Sequence, residues 1–408
     1  MGKIDSLLSN KSKLNQFLFT ILLYLSPTQF AKHFWPDWAL VSGIRVDYLA
    51  PSISILDLLI SIIILFNIKQ LFLFAKSNLK LISIFIFLIL INIIFSKIPQ
   101  ISLSYSSKLM FLFTLAVVIA NNAQIFVNTC RKHIPIIVIL LSVISILQVI
   151  SAKSLGGIFY LMGERTFTIF TPSISKANIL SNHFLRPYAT FPHPNTLSAY
   201  LSVLTIALLS FKKNKTVLFS IILSLFTLFF CFSQNSWLGL FLVSIVFIVK
   251  IAKITYLKLF LIFCFIISLF VSSLLIQSNS SRLELLNISN TKFNNNLMFG
   301  LGFGGFIPSL PFTNIQENSA LRQTIWWLQP VHNIYLLLLS ELGVAFLIFV
   351  IIFLLKYIKK ENNQTLILIL FFIFFTGLFD HYWITQEQTQ LLLAIVLGLV
   401  LQKNKLLI

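Results

Sequence analysis

His332 lies in Gln329-Pro330-Val331-His332-Asn333, at the head of a long apolar run. A proline at or just before the first turn suits a helix start, so His332 is expected on the first helical turn. The partial positive charge of a helix N-terminus disfavours an imidazolium there, and a neutral imidazole can act as a general base. Arg186 belongs to Arg186-Pro187-Tyr188-Ala189-Thr190-Phe191-Pro192-His193-Pro194-Asn195, a rigid stretch that feeds another apolar run. Arg282 follows a third run, in Ser280-Ser281-Arg282-Leu283-Glu284. A guanidinium grips phosphate oxygens in a fixed fork, where a lysine offers a point charge. These residues point to a site for a phosphorylated ligand; each arginine taken alone also reads as a headgroup anchor.

Other reactive groups are few. Glu341 stands nine residues after His332, which places it on the opposite helix face. It is expected to make a structural hydrogen bond to another helix. Asp57 and Asp380 fall within or at the ends of apolar runs, where an unpaired carboxylate is costly. No DxD pair and no HExxH motif is present, and the remaining carboxylates are isolated, so no metal site is expected. No cofactor is expected either. Cys130, Cys231 and Cys264 form no CxxC pair and read as free structural thiols. Gly300, Gly302, Gly304 and Gly305 suggest a tight turn rather than a dinucleotide loop, since no soluble strand precedes them.

The elements that must hold these groups are apolar. Of 408 residues, 58% are hydrophobic and 10% charged. A soluble domain carries about 25% charged residues, so a water-facing globule is excluded and a polytopic membrane protein expected. The all-α reading is one integral membrane domain over residues 1–408. About twelve spans lie near 14–30, 53–68, 81–96, 109–127, 134–150, 194–211, 217–232, 237–249, 259–276, 332–355, 365–380 and 388–402. The lysines before the first run are read with a retained span, not a cleaved signal.

Charge orients the bundle. With the N-terminus in the cytoplasm, 19 of the 30 Lys and Arg fall on inner segments, most of them short loops, and both termini come out cytoplasmic. The net charge of +19 is scattered in short clusters with no basic arm, which argues against nucleic acid. Of six arginines only Arg131 lies inside; Arg45, Arg165, Arg186, Arg282 and Arg322 lie outside. Three outer loops are long, at about 26–52, 151–193 and 277–331, and a site built on loops would use them.

Several stretches resemble the O-antigen ligase and polymerase superfamily. QPVHNIYLLLLSELGV is similar to its His-x-x-x-Leu…Glu-x-Gly signature, RPYATFPHPNTLSAYL to its Arg…Thr-Phe…Pro-Asn segment, and NNNLMFGLGFGGFIP to its Gly-x-Gly loop. HFWPDWALVSGIRVDYLAPSISILDLL and GLFDHYWITQEQTQLLLAIVLGL resemble segments of a bacterial subgroup, so the likeness touches most of the chain. Gln234 stands where many members carry an arginine, and Asn296 where a proline is frequent. The resemblance implies a metal-independent, inverting glycosyl transfer at the outer face of a bacterial cytoplasmic membrane. The donor would be a glycan on undecaprenyl diphosphate and the acceptor a glycan or lipid hydroxyl. Arg186 and Arg282 would bind the diphosphate and His332 would be the base. Tyr335, Asn195 and Arg322 are candidates to line the site. A polymerase of the same fold is the nearest alternative; a lipid or polysaccharide transporter would need coupling groups among Asp57, Glu341 and Asp380.

Overall fold

In a computed structural model of the chain, residues 2–179, 182–252, 280–313, 327–358, 361 and 363–402 are described. The protein is predominantly helical. In the first half run α1 (Gly2–Leu25), α2 (Ile55–Phe66), α3 (Ile68–Ser77), α4 (Leu79–Ile94), α5 (Pro99–Asn121), α6 (Ala123–Ser151) and the single turn α7 (Ile158–Leu161). Then come α8 (Pro194–Leu209), α9 (Lys215–Phe230), α10 (Gln234–Ala252), α11 (Ser280–Asn295), α12 (Ile334–Ile358), α13 (Gln364–Thr376), the short α14 (Tyr382–Thr385) and α15 (Glu387–Leu401). Eleven of the twelve expected apolar segments coincide with a helix or part of one; the segment 259–276 lies outside the described residues.

Length limits what these helices can do. α5, α6 and α12 are long and apolar enough to cross a membrane, and α2 with α3 would pass as a fourth span bent by 72°. The helices α4, α8, α9, α13 and α15, and the stretch Gln234–Phe247 of α10, are apolar but shorter. Thirteen to sixteen residues reach only about 20–24 Å at the helical rise, less than a hydrocarbon core of about 30 Å. Among the described residues, length and composition single out three helices, or four spans with the bent pair counted as one.

Large apolar side chains stay exposed along the helices, and some helix contacts are made by small polar side chains. On α9, Leu218, Phe219, Ile222, Leu225, Phe226 and Phe229 are exposed, while Ser220, Ser224 and Thr227 are buried. Water would invert that distribution; lipid tolerates it, because small polar side chains let helices approach and bond to one another. Thr205 of α8 meets Ser224 of α9 through their hydroxyls.

Two departures concern turns. The chain breaks at Asn122, not near 128–133, so Arg131 and Lys132 lie inside α6 rather than in an inner loop. Asn122 is fixed by side-chain bonds to Val118 O at 2.9 Å and to Gln70 at 2.8 Å. The long loops also contain strands that the all-α reading omits. Among the described residues three antiparallel strand pairs form: β1 (Ala31–His33) with β4 (Ser52–Ser54), β2 (Leu40–Val41) with β3 (Ile44–Arg45), and β5 (Lys176–Ile179) with β6 (Asn182–Leu185). The first pair closes the 26–52 loop at its base; the backbone of a segment lying over the bundle finds its hydrogen bonds in such ladders.

α12 is two helices in one. Gly343 has φ 74° and ψ 177° inside it, so the chain kinks there. The glycine run docks against the kink. Leu301 N donates to Ser340 O at 2.9 Å, Gly302 N to Glu341 O at 3.0 Å, and Val344 N to Leu297 O at 2.9 Å. The Glu341 carboxylate accepts from Gly304 N at 3.0 Å and Phe306 N at 3.2 Å. Among the described residues these carboxylate partners are loop amides, not the other helix that was expected. Asn92 of α4 completes the joint, donating to Phe299 O and Glu341 O and accepting from Phe303 N.

Candidate functional site

Four of the expected residues meet at one end of the bundle, around a carboxylate that the sequence reading had not joined to them. Asp380 follows the end of α13. Its Oδ1 lies 3.3 Å from Nδ1 of His332 and accepts from His381 N at 2.9 Å. Its Oδ2 accepts from Nδ2 of Asn195 at 3.1 Å. Asn195 Oδ1 in turn accepts from Nη2 of Arg186 at 2.6 Å, and Arg186 Nε donates to Cys231 O at 2.7 Å. A continuous hydrogen-bonded chain thus runs from Arg186 through Asn195 and Asp380 to His332. Arg282, on the first turn of α11, adds its positive charge, which acts on Asp380, His193, His381 and Arg186.

Local structure explains each placement. His332 is not on the helix. Asn333 precedes α12, and its Oδ1 accepts from Tyr335 N at 2.9 Å and Leu336 N at 3.0 Å. Asparagine is a favoured cap because it satisfies the orphan amides of the first turn. His332 therefore stands one residue outside, and the helical-wheel relation to Glu341 does not apply to it. Ile334 N donates to Gly377 O at 2.9 Å and Asn333 Nδ2 to Leu378 O at 3.1 Å, tying the start of α12 to the end of α13. Gly377 permits this approach: a Cβ there would sit 2.5 Å from the Ile334 side chain. Asn195 enters at the head of α8, after Pro194, with His193 as the capping residue.

Three histidines crowd this end, and their bonds sort them. His193 is half-buried; its Nδ1 accepts from Asn195 N at 3.1 Å, so Nε2 carries the proton and donates to Ser175 Oγ at 2.9 Å. Burial, then the charge of Arg186, pull its pKa down to about 4. In His381, Nδ1 is 2.7 Å from Thr385 Oγ1, whose hydroxyl donates to His381 O. Burial brings this pKa down to about 3. For Asp380 burial works against the charge, but the hydrogen bond from His332 and the charge of Arg282 outweigh it. Its carboxyl is held well below the usual range. An ionised carboxylate can only accept, so His332 donates from Nδ1, and in the neutral imidazole Nε2 carries the lone pair. Among the described residues Nε2 makes no hydrogen bond. His332 keeps 17% of its side chain exposed against 7% for Asp380, so the histidine is reachable and the carboxylate is not.

Of the remaining candidates, Tyr335 turns its hydroxyl away, donating to Phe374 O at 2.7 Å. Arg322 lies outside the described residues. Residues that the sequence reading missed are Asp380 as partner of His332, His381, and Tyr48 of the first long loop, whose ring meets that of His381 edge-on at 5.5 Å. The Gly-Leu-Phe-Asp-His stretch was quoted, but nothing in its spacing connects Asp380 to a residue 48 positions earlier.

His332, Asp380 and His381 bring three possible metal-ligand atoms within 4.8 Å of one another. The charges argue against a resident cation. Oδ1 of Asp380 is already shared between His332 and an amide, and Arg282 and Arg186 supply the positive charge that a divalent ion would have to oppose. The arrangement can take a proton at Nε2 of His332, and the charges of Arg186 and Arg282 favour an anion nearby. The chain matches no protein-family model and no curated protein.

Proposed function

We propose that the protein is a membrane glycosyltransferase similar to O-antigen ligases, moving a glycan from undecaprenyl diphosphate to an acceptor hydroxyl. The observation that carries the reading is the bonded series Arg186–Asn195–Asp380–His332, with Arg282 beside it. The series joins the Arg186 guanidinium to His332 through two side chains, and the charge of Arg282 acts on the same carboxylate, which supports a base beside cationic groups. Nε2 of His332 takes the proton of the acceptor hydroxyl as its oxygen attacks the anomeric carbon. The bond from that carbon to the diphosphate oxygen breaks, with inversion. Charge develops on the leaving diphosphate, and Arg186 and Arg282 stabilise it where they are already oriented. Asp380 holds the imidazole in the tautomer that presents Nε2 and stabilises the imidazolium that forms, as carboxylates do in other base-orienting pairs. No metal is needed, because the two guanidinium groups take its electrostatic role.

In this proposal the chain is a multi-pass protein of the bacterial cytoplasmic membrane, with about twelve spans, cytoplasmic termini and the site at the outer face. The large apolar side chains exposed along the helices support a membrane setting. A transporter is the weaker reading, because each acidic candidate is engaged. Asp57 accepts from Lys108 at 2.6 Å and caps α2 through Ser54, Glu341 holds the glycine loop, and Asp380 holds His332.

The test is a transfer assay with purified protein, a defined undecaprenyl-diphosphate oligosaccharide and envelope lipids, with products resolved by size. A single adduct on a new lipid establishes a ligase. A ladder still on undecaprenyl diphosphate establishes a polymerase. Equal transfer by the His332→Ala variant removes the assigned base and the reading with it.

A further inference from the structure

A second basic site lies far from His332. The segment between α8 and α9, with the early turns of α6, encloses an open pocket of about 460 Å³ lined by Arg131, Ser210, Phe211, Lys212, Asn214 and Val217. Phe211 and Val217 are buried and form an apolar floor; Arg131 and Lys212 are exposed at the rim. No carboxylate is among the lining residues. The adjacent Lys213 is occupied, donating to Leu208 O at 3.2 Å and Leu209 O at 2.9 Å at the end of α8. Lys212 makes no hydrogen bond or ion pair among the described residues. Asn214 caps α9 through Val217 N at 2.8 Å, so the pocket also faces the positive end of that helix.

Position decides what such a pocket meets. α6 begins near it and ends at the candidate site, where Gln148 Oε1 accepts from Tyr188 N at 2.9 Å and Ala189 N at 2.8 Å, beside Arg186. Arg131 and Gln148 are seventeen residues apart on one continuous helix, a rise of about 26 Å. That is close to the thickness of a bilayer hydrocarbon core, about 30 Å. If α6 crosses a membrane, the pocket lies at the headgroup level of the leaflet opposite His332. Leu218 and Ile222, on the first two turns of α9, are exposed apolar side chains. A basic rim over an apolar floor between helices, at that depth, fits a headgroup phosphate with its first acyl carbons.

We propose that this pocket binds a phosphate-bearing anion, supplied by the headgroup of an anionic phospholipid in the opposite leaflet. Arg131 and Lys212 hold the phosphate, and Phe211 packs against the glycerol end of the chains. The site is independent of the transfer chemistry assigned to His332.

The test is native mass spectrometry of the full-length protein, titrated in detergent with phosphatidylglycerol, phosphatidylcholine or inorganic phosphate. Wild-type protein is expected to retain phosphatidylglycerol in preference to phosphatidylcholine. One cationic contact is worth about 5-fold in affinity, so Arg131→Gln with Lys212→Gln should weaken retention about 25-fold. Lys212 is exposed and makes no hydrogen bond or ion pair among the described residues, so Lys212→Gln alone should keep the wild-type melting temperature without added lipid and weaken retention about 5-fold. Equal retention of phosphatidylglycerol by wild type and these variants overturns the proposal, as does equal retention of the two lipids by wild type. Displacement of phosphatidylglycerol by millimolar inorganic phosphate keeps the anion chemistry and overturns the lipid as its source.

Discussion

Nδ1 of His332 and Oδ1 of Asp380 are 3.3 Å apart, and the remaining histidine nitrogen is left open among the described residues. The pair comes from the segments before α12 and after α13, joined through Ile334 N to Gly377 O. It gives an otherwise ordinary histidine a fixed tautomer and a direction.

Asp380→Asn should separate orientation from binding. The amide has nearly the same shape, but it cannot stabilise an imidazolium and offers hydrogens where acceptors stood. Loss of a base-orienting carboxylate costs about 10⁴-fold in a well-studied protease. The expected loss in kcat here is about 10²- to 10⁴-fold, with the donor KM changed less than threefold. His332→Ala should lose about as much, and the double variant little more, because the two residues act as a unit. Multiplicative losses in the double variant would mean that Asp380 acts elsewhere.

Arg186→Lys should raise the donor KM by about 10- to 100-fold, since a charge-assisted hydrogen bond is worth about 1.5–3 kcal/mol. The fork now engages Cys231 O and Asn195 Oδ1 at once and has further N–H groups to offer an anion. A lysine at this point cannot span both partners. Asn195→Ala should produce a milder form of the same defect and also lower kcat, because it unties Arg186 from Asp380. Steady-state kinetics with varied donor separates the two effects; an unchanged donor KM in Arg186→Lys would remove the arginine from the anion site.

The sequence made parts of this site legible and hid others for identifiable reasons. Arg186, Asn195 and His332 each sit at the border of a long apolar run, where a polar residue stands out, and Arg282 stands out by being outside with the other arginines. The apolar runs themselves place most of the helices. Asp380 was visible only as an isolated carboxylate at a helix end, because its partners come from two other segments and no local period links them. The kink at Gly343 was hidden too: nothing in the apolar run says that the glycine loop will insert there. The number of spans is illegible because an apolar run of thirteen to sixteen residues looks alike in sequence whether it crosses a membrane or packs partway through. The bend at Asn67 and the break at Asn122 went unplaced because each depends on side-chain bonds between helices, including Asn15 to both at 3.2 and 3.1 Å.

Stability should fall on mild acidification through His193 and His381. Their folded pKa values are depressed to about 4 and about 3, whereas the unfolded chain titrates near 6.5. Below about pH 6.5 the unfolded state binds more protons, so folding is penalised as pH falls toward 4; above 6.5 the contribution is fully present. A displacement of two and a half units corresponds to about 3 kcal/mol. The melting temperature should therefore drop between pH 7 and pH 4.5. His193→Asn keeps a capping side chain and removes one titrating group, so its profile should be flatter. An equally steep profile in that variant would exclude His193 as a contributor.

The joint at Gly343 should be a stability element with little direct part in the chemistry. Glu341→Gln replaces an oxygen facing the amides of Gly304 or Phe306 with an NH₂ group, at a cost of about 1–3 kcal/mol. Gly343→Ala adds a Cβ 2.4 Å from Met298 O in a left-handed conformation, so it should be worse. Both variants should melt earlier while the protein that remains folded keeps its donor KM. A wild-type melting temperature for Gly343→Ala would show that the kink is not held this way.

Chelation tests the electrostatics of the centre. Nδ1 of His332, Oδ1 of Asp380 and Nε2 of His381 are close enough to bind a divalent ion. Doing so would break the His332–Asp380 hydrogen bond and place two further charges in the field of Arg282 and Arg186. If the two guanidinium groups carry the leaving-group charge, EDTA should leave transfer within about twofold. Added zinc should inhibit by occupying the His332 side of the cluster, and Asp380→Asn should relieve that inhibition, because it removes the anionic ligand on which such a site depends. Loss of transfer on chelation, restored by a divalent ion, would assign the leaving-group charge to a metal instead. The arginines would then position the donor without supplying the electrostatic stabilisation.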